Sequence, residues 1–434
     1  MIKCYTLNGE FYDNGKSFTD FKEICESLRK NGENIKEFPL EAMIQIINEY
    51  SKIISKNKEL LKQEGIPFLC FYLKKNNLEK VINLNLKNKD FLDKFIEIEE
   101  GRFIKAQRRG LACHWISANV ATLGIYSIFQ SLICKNYNLV KIPLESMQLI
   151  TKLLKPLKKI QVNFNGKEYF GEDILTNICI VNFPSSNLQI NREMSQNADC
   201  RIFWGGEEAL NSIKKLPQKT TCKDIIFGPK YSFAVFDKEA IESIELEKYL
   251  ENLVIDIINF NQKACSSPQV LFLEKSSISI EEVSHRLIKV FNKVNKRYPV
   301  KHMDEFTAAS IINKRGEYFL SLDKMIHCSK GFDYTILLNN DLKLEEHIGG
   351  RTIFIKEVSN IFHIKQLITP RIQTIGIAMK NKEKIVEFSH ELTALGVDRI
   401  VKVGYMNLYD TPWDGTFLIS ELVRWCSINV SGMI

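Results

Sequence analysis

Between residues 101 and 400, short apolar runs alternate with stretches of helical periodicity. That alternation restricts the chain to an α/β architecture, because a strand buried on both faces needs helices to cover it. In 101–240 the spacing predicts strands at 110–116, 139–142 and 199–204, with a helix over 122–135. A further pair of strands flanks Gly228-Pro229-Lys230. A helix is expected over 239–260, where Leu250, Leu253, Val254, Ile257 and Ile258 recur at i, i+3, i+4, i+7 and i+8. Strands follow at 270–273, 318–320, 335–338, 352–355 and 373–377. Ser279 with Glu282 marks the start of a helix reaching about residue 297, and Gly396 closes another over 381–395. Residues 1–100 read as mostly helical, and residues 401–434 as a C-terminal segment.

Composition narrows the function. Eleven cysteines is an odd count and none are spaced Cys-x-x-Cys; with no signal peptide, free thiols in a reducing cytoplasm are expected. The seven histidines show no ligand spacing, so no metal is expected. The net charge of +7 is spread along the chain with no like-charged block, which argues against a nucleic-acid tail; a weakly basic surface suits an anionic, phosphate-bearing ligand, although a solvated surface accounts better for most of these lysines. Residues 110–134 lack Lys, Arg, Asp and Glu, but they carry His114, Ser117, Asn119, Thr122, Ser127, Gln130 and Ser131. A buried strand and helix explain them better than a membrane span.

Chemistry concentrates in Asn261-Gln262-Lys263-Ala264-Cys265-Ser266-Ser267-Pro268, a polar turn between the helix over 239–260 and the strand at 270–273. Turn-forming residues keep the Cys265 thiol off a hydrophobic face. A free thiol has a pKa near ~8.5, and its thiolate is the nucleophile. The competing reading of any cysteine is a small, inert hydrophobe. Asn119 follows the strand 110–116 at its carboxyl end, where open α/β sheets place ligand contacts. Lys141 ends a buried strand, either on its way to solvent or toward a cofactor. Gly205-Gly206-Glu207-Glu208 is a glycine turn opening a helix. It would let a phosphate approach backbone N–H groups, although a plain strand-to-helix turn uses the same residues.

Taken in order over roughly residues 105–430, these motifs resemble the aldehyde dehydrogenase superfamily. The Ser-Ser-Pro tail is most similar to the acyl-CoA reductase subunit of bacterial bioluminescence fatty-acid reductases. The resemblance implies two Rossmann-like α/β domains with a helical N-terminal region at 1–100. Residues 101–240 would bind a nicotinamide cofactor and 241–400 would carry the nucleophile, while 401–434 would return to the cleft or a subunit interface. It implies that Cys265 is the nucleophile and that Asn119, with the Cys265 backbone N–H, forms the oxyanion hole. It places Lys141 on the cofactor ribose, Gly205 and Gly206 beneath the cofactor, and Gly228 in the counterpart of the Gly-Gly-Lys that precedes the nucleophile.

Two departures carry information. Ile226 stands where hydrolysing members have a glutamate general base, so an acyl-cysteine would persist. Thr352-Ile353-Phe354 replaces a Glu-Ile-Phe whose glutamate holds the nicotinamide ribose. Leu144, beside Glu145, stands where NAD-preferring members place an acid, and the resemblance implies NADPH. The expected activity is reduction of long-chain acyl-CoA or acyl-protein thioesters to fatty aldehydes through an acyl-cysteine. Partnership with an acyl-protein synthetase and a homo-oligomeric core are implied as well. The rivals are an aldehyde dehydrogenase running toward the acid, which Ile226 opposes, and a non-catalytic acyl-binding scaffold, which retention of Cys265 and Asn119 opposes.

Overall fold

In the computed structural model, which describes residues 1–117, 120, 122–300 and 303–432, the chain divides into two units. One comprises residues 1–228 and the segment from Tyr409 onward; the other comprises residues 229–408.

The first unit is built on a seven-stranded sheet. Its order is Lys223–Phe227, Cys200–Trp204, Leu111–Trp115, Tyr137–Lys141, Ile178–Asn182, Ile2–Leu7 and Glu10–Phe18. The first five are mutually parallel; Ile2–Leu7 pairs antiparallel with Ile178–Asn182, and Glu10–Phe18 antiparallel with Ile2–Leu7. Leu111–Trp115 and Cys200–Trp204 are buried at every residue, as parallel strands covered on both faces must be. Alternate side chains enter two apolar layers. Leu111, Cys113, Trp115, Leu139 and Phe203 lie in one; Ala112, Val140, Ile202 and the helix Thr122–Ile133 lie in the other. Within this uncharged stretch His114 contacts Ser127 Oγ, and it reaches Asn138 Oδ1 on the adjacent strand, each at 3.0 Å. Burial pushes the His114 imidazole down to about 4, so it is neutral at physiological pH. Among the described residues no helix is long and apolar enough to cross a membrane.

The second unit carries another seven-stranded sheet. Its order is Met325–Cys328, Thr335–Leu338, Thr352–Val358, Val270–Glu274, Tyr231–Phe236, Ile372–Ala378 and Arg399–Lys402. Only the first strand is antiparallel to its neighbour. Helices Leu246–Ile258 and Ile280–Arg297 cover one face, and Lys382–Ala394 packs on the other.

Several expectations are corrected here. Residues 1–18 form a hairpin that extends the first sheet, not helix: Leu7 pairs with Glu10 across Asn8-Gly9, whose φ values are 54° and 79°. Asn-Gly is the preferred two-residue hairpin turn, and the helical composition of residues 21–86 hid it. The helices Phe21–Lys36, Leu40–Lys56, Ile66–Tyr72 and Lys75–Leu86 do follow, within the first unit. The boundary expected at 240 falls at Gly228, because Tyr231–Phe236 is a central strand of the second sheet. Residues 401–434 divide as well. Those to Leu408 stay with the second unit, and Val423–Asn429 pairs with Arg102–Arg108 in the first. Residues 318–320 close a helix, Glu305–Phe319, in place of the expected strand; Asp304 caps its start by accepting the Thr307 N–H at 2.9 Å.

Candidate active site

Helix Leu246–Ile258 is followed by three residues in left-handed backbone, with φ of 56° at Phe260, 48° at Asn261 and 63° at Gln262. For residues bearing a Cβ this conformation costs on the order of 1–2 kcal/mol each. Gln262 supplies the brace. Fully buried, it donates from Nε2 to the carbonyls of Pro268 at 2.8 Å and Thr352 at 2.7 Å, and accepts the Thr352 N–H at 2.8 Å. His347 Nε2 donates to the Gln262 carbonyl at 2.9 Å. The arc 262–268 is thereby tied to the start of strand Thr352–Val358.

Cys265 sits mid-arc and is partly exposed. Two adjacent strands grip it. Ser232 Oγ donates to the Cys265 carbonyl at 2.7 Å and itself receives the Thr374 N–H at 3.2 Å. Gln373 Nε2 donates to the Cys265 sulfur at 3.3 Å. Behind the thiol, Ser266 and Ser267 donate to Asn407 Oδ1 at 2.7 and 3.3 Å, and Asn407 Nδ2 donates to the Asp256 carbonyl at 2.7 Å. The buried Asp256 carboxylate accepts the N–H groups of Gly404 and Met406. Burial nevertheless pushes it up to about 7, against those donors and the Arg399 charge. Folding thus favours its protonated form, and the stability this contributes is lost as pH rises through about 7.

Of the remaining thiols, Cys328 and Cys426 are partly exposed but stand on edge strands outside the arc, and the others are poorly suited to attack. Seven are buried, and burial pushes Cys25 to about 12 and Cys70 to about 11. Cys222 is partly exposed, yet burial raises it to about 11 as well. Only a thiolate is an effective nucleophile.

A second constellation lies in the first unit. From Leu111–Trp115 the chain runs outward through Tyr137–Lys141 and Ile178–Asn182, then returns to the opposite side through Cys200–Trp204 and Lys223–Phe227. Ligands of open α/β sheets sit beyond the carboxyl ends of strands at such a reversal. Lys141 is the last residue of its strand and pairs with Trp115. Gly205 follows Trp204, its N–H bonded to the Phe227 carbonyl at 3.2 Å, and Gly228 follows Phe227. With strands about 4.8 Å apart, Lys141 and the glycine turn stand about 10 Å from each other on one sheet edge. Asn119 lies outside the described residues.

The Lys141 ammonium donates to Ser185 Oγ at 2.9 Å and lies 4.8 Å from the Phe183 ring centre, with no carboxylate partner among the described residues. Burial pushes it down to about 8. Above the helix Glu207–Lys214, a Cβ at Gly206 would meet nothing within 4 Å, and one at Gly205 only Ala209 Cβ at 3.9 Å. The turn is therefore open toward a ligand. Glu207 and Glu208 in the first helical turn stabilise the helix but oppose an anion there. Open space and the Lys141 charge favour a dinucleotide more than this helix end does. Gly228 has a packing reason of its own, since a Cβ there would press on Leu210 Cδ1 at 3.2 Å.

Both departures have structural consequences. Ile226 packs with the apolar layer that holds Phe203, its partner in the strand register. Thr352 is buried, and its backbone is committed to Gln262. Sequence reasoning missed Gln373, Ser232 and Asn407. Gln373 is 108 residues from Cys265, and no motif spacing signals a contact made by sheet pairing.

Two α/β units, the second bearing a partly exposed cysteine in a braced loop ahead of a buried strand, define a protein of the aldehyde dehydrogenase fold. Aldehyde dehydrogenase 21 of Physcomitrella patens is similar with a TM-score of 0.70 at 9% identity, covering 100% of this chain and 99% of that one. A mutant 1-pyrroline-5-carboxylate dehydrogenase of Thermus thermophilus is similar with a TM-score of 0.68 at 11% identity, covering 98% and 92%. Within that fold the chain belongs to the acyl-CoA reductase (LuxC) family, whose model matches residues 25–425. The long-chain acyl-protein thioester reductase of Photorhabdus luminescens is 24% identical over 388 residues, spanning 88% of this chain and 76% of the relative.

Proposed function

We propose that this chain reduces long-chain acyl thioesters, acyl-CoA or acyl-protein, to fatty aldehydes through an acyl-cysteine at Cys265. The observation that carries this reading is the partly exposed Cys265 thiol, gripped through its sulfur and its carbonyl in a member of the LuxC family. The Cys265 thiolate attacks the thioester carbonyl, a new S–acyl bond forms, and the donor thiol leaves and takes up a proton. The Asn119 amide, with the Cys265 N–H, serves as oxyanion donor. Lys141, Gly205 and Gly206 hold a nicotinamide dinucleotide, with Gly228 shaping the adjoining strand end. When bound in its reduced form, NADPH in this reading, the dinucleotide supplies the hydride that converts acyl group to aldehyde. Ile226 offers no base to activate water, so the acyl group waits on Cys265. A cytoplasmic location, an acyl-protein synthetase partner and a homo-oligomeric assembly belong to the same reading. NADPH consumption by purified protein given a long-chain acyl-CoA, with aldehyde accumulating, tests it. Turnover only with aldehyde and oxidised cofactor would favour the dehydrogenase rival, and no turnover in either direction the scaffold.

Lys141 makes a pH-dependent prediction. Its ammonium is held down to about 8 by burial, so the charge that attracts an anionic dinucleotide is lost as pH rises through that value. Dinucleotide affinity of the wild type should fall above about pH 8, whereas Lys141→Met should bind weakly and without that pH dependence. Titration by nicotinamide fluorescence reads both. Equal affinities across the range would return Lys141 to a solvent-facing role.

A further inference from the structure

We propose that Gln373 is a catalytic residue, its side-chain amide donating to the Cys265 sulfur and stabilising the thiolate that attacks the acyl donor. This rests on Cys265 being the nucleophile. Gln373 belongs to strand Ile372–Ala378, is 2% exposed, and places Nε2 at 3.3 Å from the sulfur. The neighbouring residue, Thr374, pairs with Ser232 in parallel register, and Ser232 holds the Cys265 carbonyl. Sulfur and carbonyl of one residue are thus fixed by two hydrogen-bonded strands. That rigid mount lets an amide be aimed at the reacting atom. A glutamine does not titrate, so it donates to sulfur at every pH and takes no proton from it. The thiol proton passes to solvent.

The expected consequence has a distinctive shape. A hydrogen bond to the charged form of an acid favours that form, and charge-assisted bonds are the stronger kind. Removing this donor should move the midpoint of the Cys265 reactivity–pH curve upward by about one unit, cutting the thiolate fraction below the midpoint about tenfold. The more basic thiolate is the better nucleophile, by about threefold per unit at a Brønsted slope of ~0.4–0.5 in thiol–disulfide exchange. The two effects oppose each other. The variant should be about threefold slower at low pH and about threefold faster above both midpoints.

The probe is 4,4′-dithiodipyridine, an aromatic disulfide. The Cys265 thiolate attacks one sulfur, forms a mixed disulfide, and expels pyridine-4-thiolate. Full-length wild type and Gln373→Met are followed across pH by mass analysis of the peptide bearing Cys265. Crossing curves support the proposal; superimposed curves, or a uniform slowing at every pH, overturn it. Should the methionine variant not fold, Gln373→Glu carries the same test at equal size. A carboxylate beside the sulfur should raise the midpoint further, and an unchanged midpoint overturns the proposal. Failure of the underlying reading looks different: Cys265→Ala protein would then reduce acyl-CoA normally, whatever the Gln373 curves show.

Discussion

Cys265→Ala should form no acyl-enzyme and no aldehyde, with acyl-CoA-dependent oxidation of NADPH falling below detection. No other thiol lies in the turn 261–268. The buried thiols are out of reach, Cys328 and Cys426 stand on edge strands outside this turn, and Cys222, although partly exposed, is raised to about 11 by burial, so very little of it is thiolate at neutral pH. The substitution should leave the fold in place. The Ser232 bond goes to the backbone carbonyl of residue 265, and Gln262 holds the arc through Pro268 and Thr352. Initial rates and thermal melting together check this: near-native melting with abolished turnover is the expected pair. Normal turnover would place the nucleophile elsewhere.

Gln262→Leu is the second substitution with a large expected effect. It removes the Gln262 donor from the buried Pro268 and Thr352 carbonyls, and one of two acceptors from the Thr352 N–H, which keeps the Gly349 carbonyl at 3.2 Å. A buried polar group left unpaired costs about 1–3 kcal/mol, so a loss of roughly 3 kcal/mol or more in unfolding free energy is expected. The three left-handed residues would lose their brace, and the arc carrying Cys265 would shift. Displacing a reacting group by about 1 Å costs on the order of 10²-fold in rate. Urea unfolding and kcat with a saturating acyl-CoA measure the two effects. Wild-type values in both would show that His347 and the Ser266/Ser267–Asn407 contacts suffice to hold the loop.

Much of this architecture was legible in residue order, because burial dictates pattern. Strands covered on both faces read as apolar runs, and the expected strands at 110–116, 199–204 and 270–273 lie within a residue or so of Leu111–Trp115, Cys200–Trp204 and Val270–Glu274. Local chemistry was legible too: Ser279 Oγ accepts the Glu282 N–H at 3.2 Å, and Gly396 adopts φ 117° beyond its helix. Residues 318–320 misled because an aromatic run has the composition of a strand while tertiary context continues a capped helix through it. Gly228 as a boundary was hidden because Tyr231–Phe236 looks alike in either sheet. The braces around Cys265 were illegible for a deeper reason. Gln373 reaches the thiol only because Tyr231–Phe236 and Ile372–Ala378 pair side by side, and that register is written in no local motif.

Wild-type protein incubated with isotopically labelled long-chain acyl-CoA, without any nicotinamide, addresses the acyl-cysteine most directly. Ile226 packs in an apolar layer and cannot take a proton from water, so acyl transfer should stop at the thioester. The label should persist on the peptide bearing Cys265 and leave as fatty aldehyde when NADPH is added. Label on a different peptide, or its escape as free acid before NADPH arrives, would contradict the proposed chemistry.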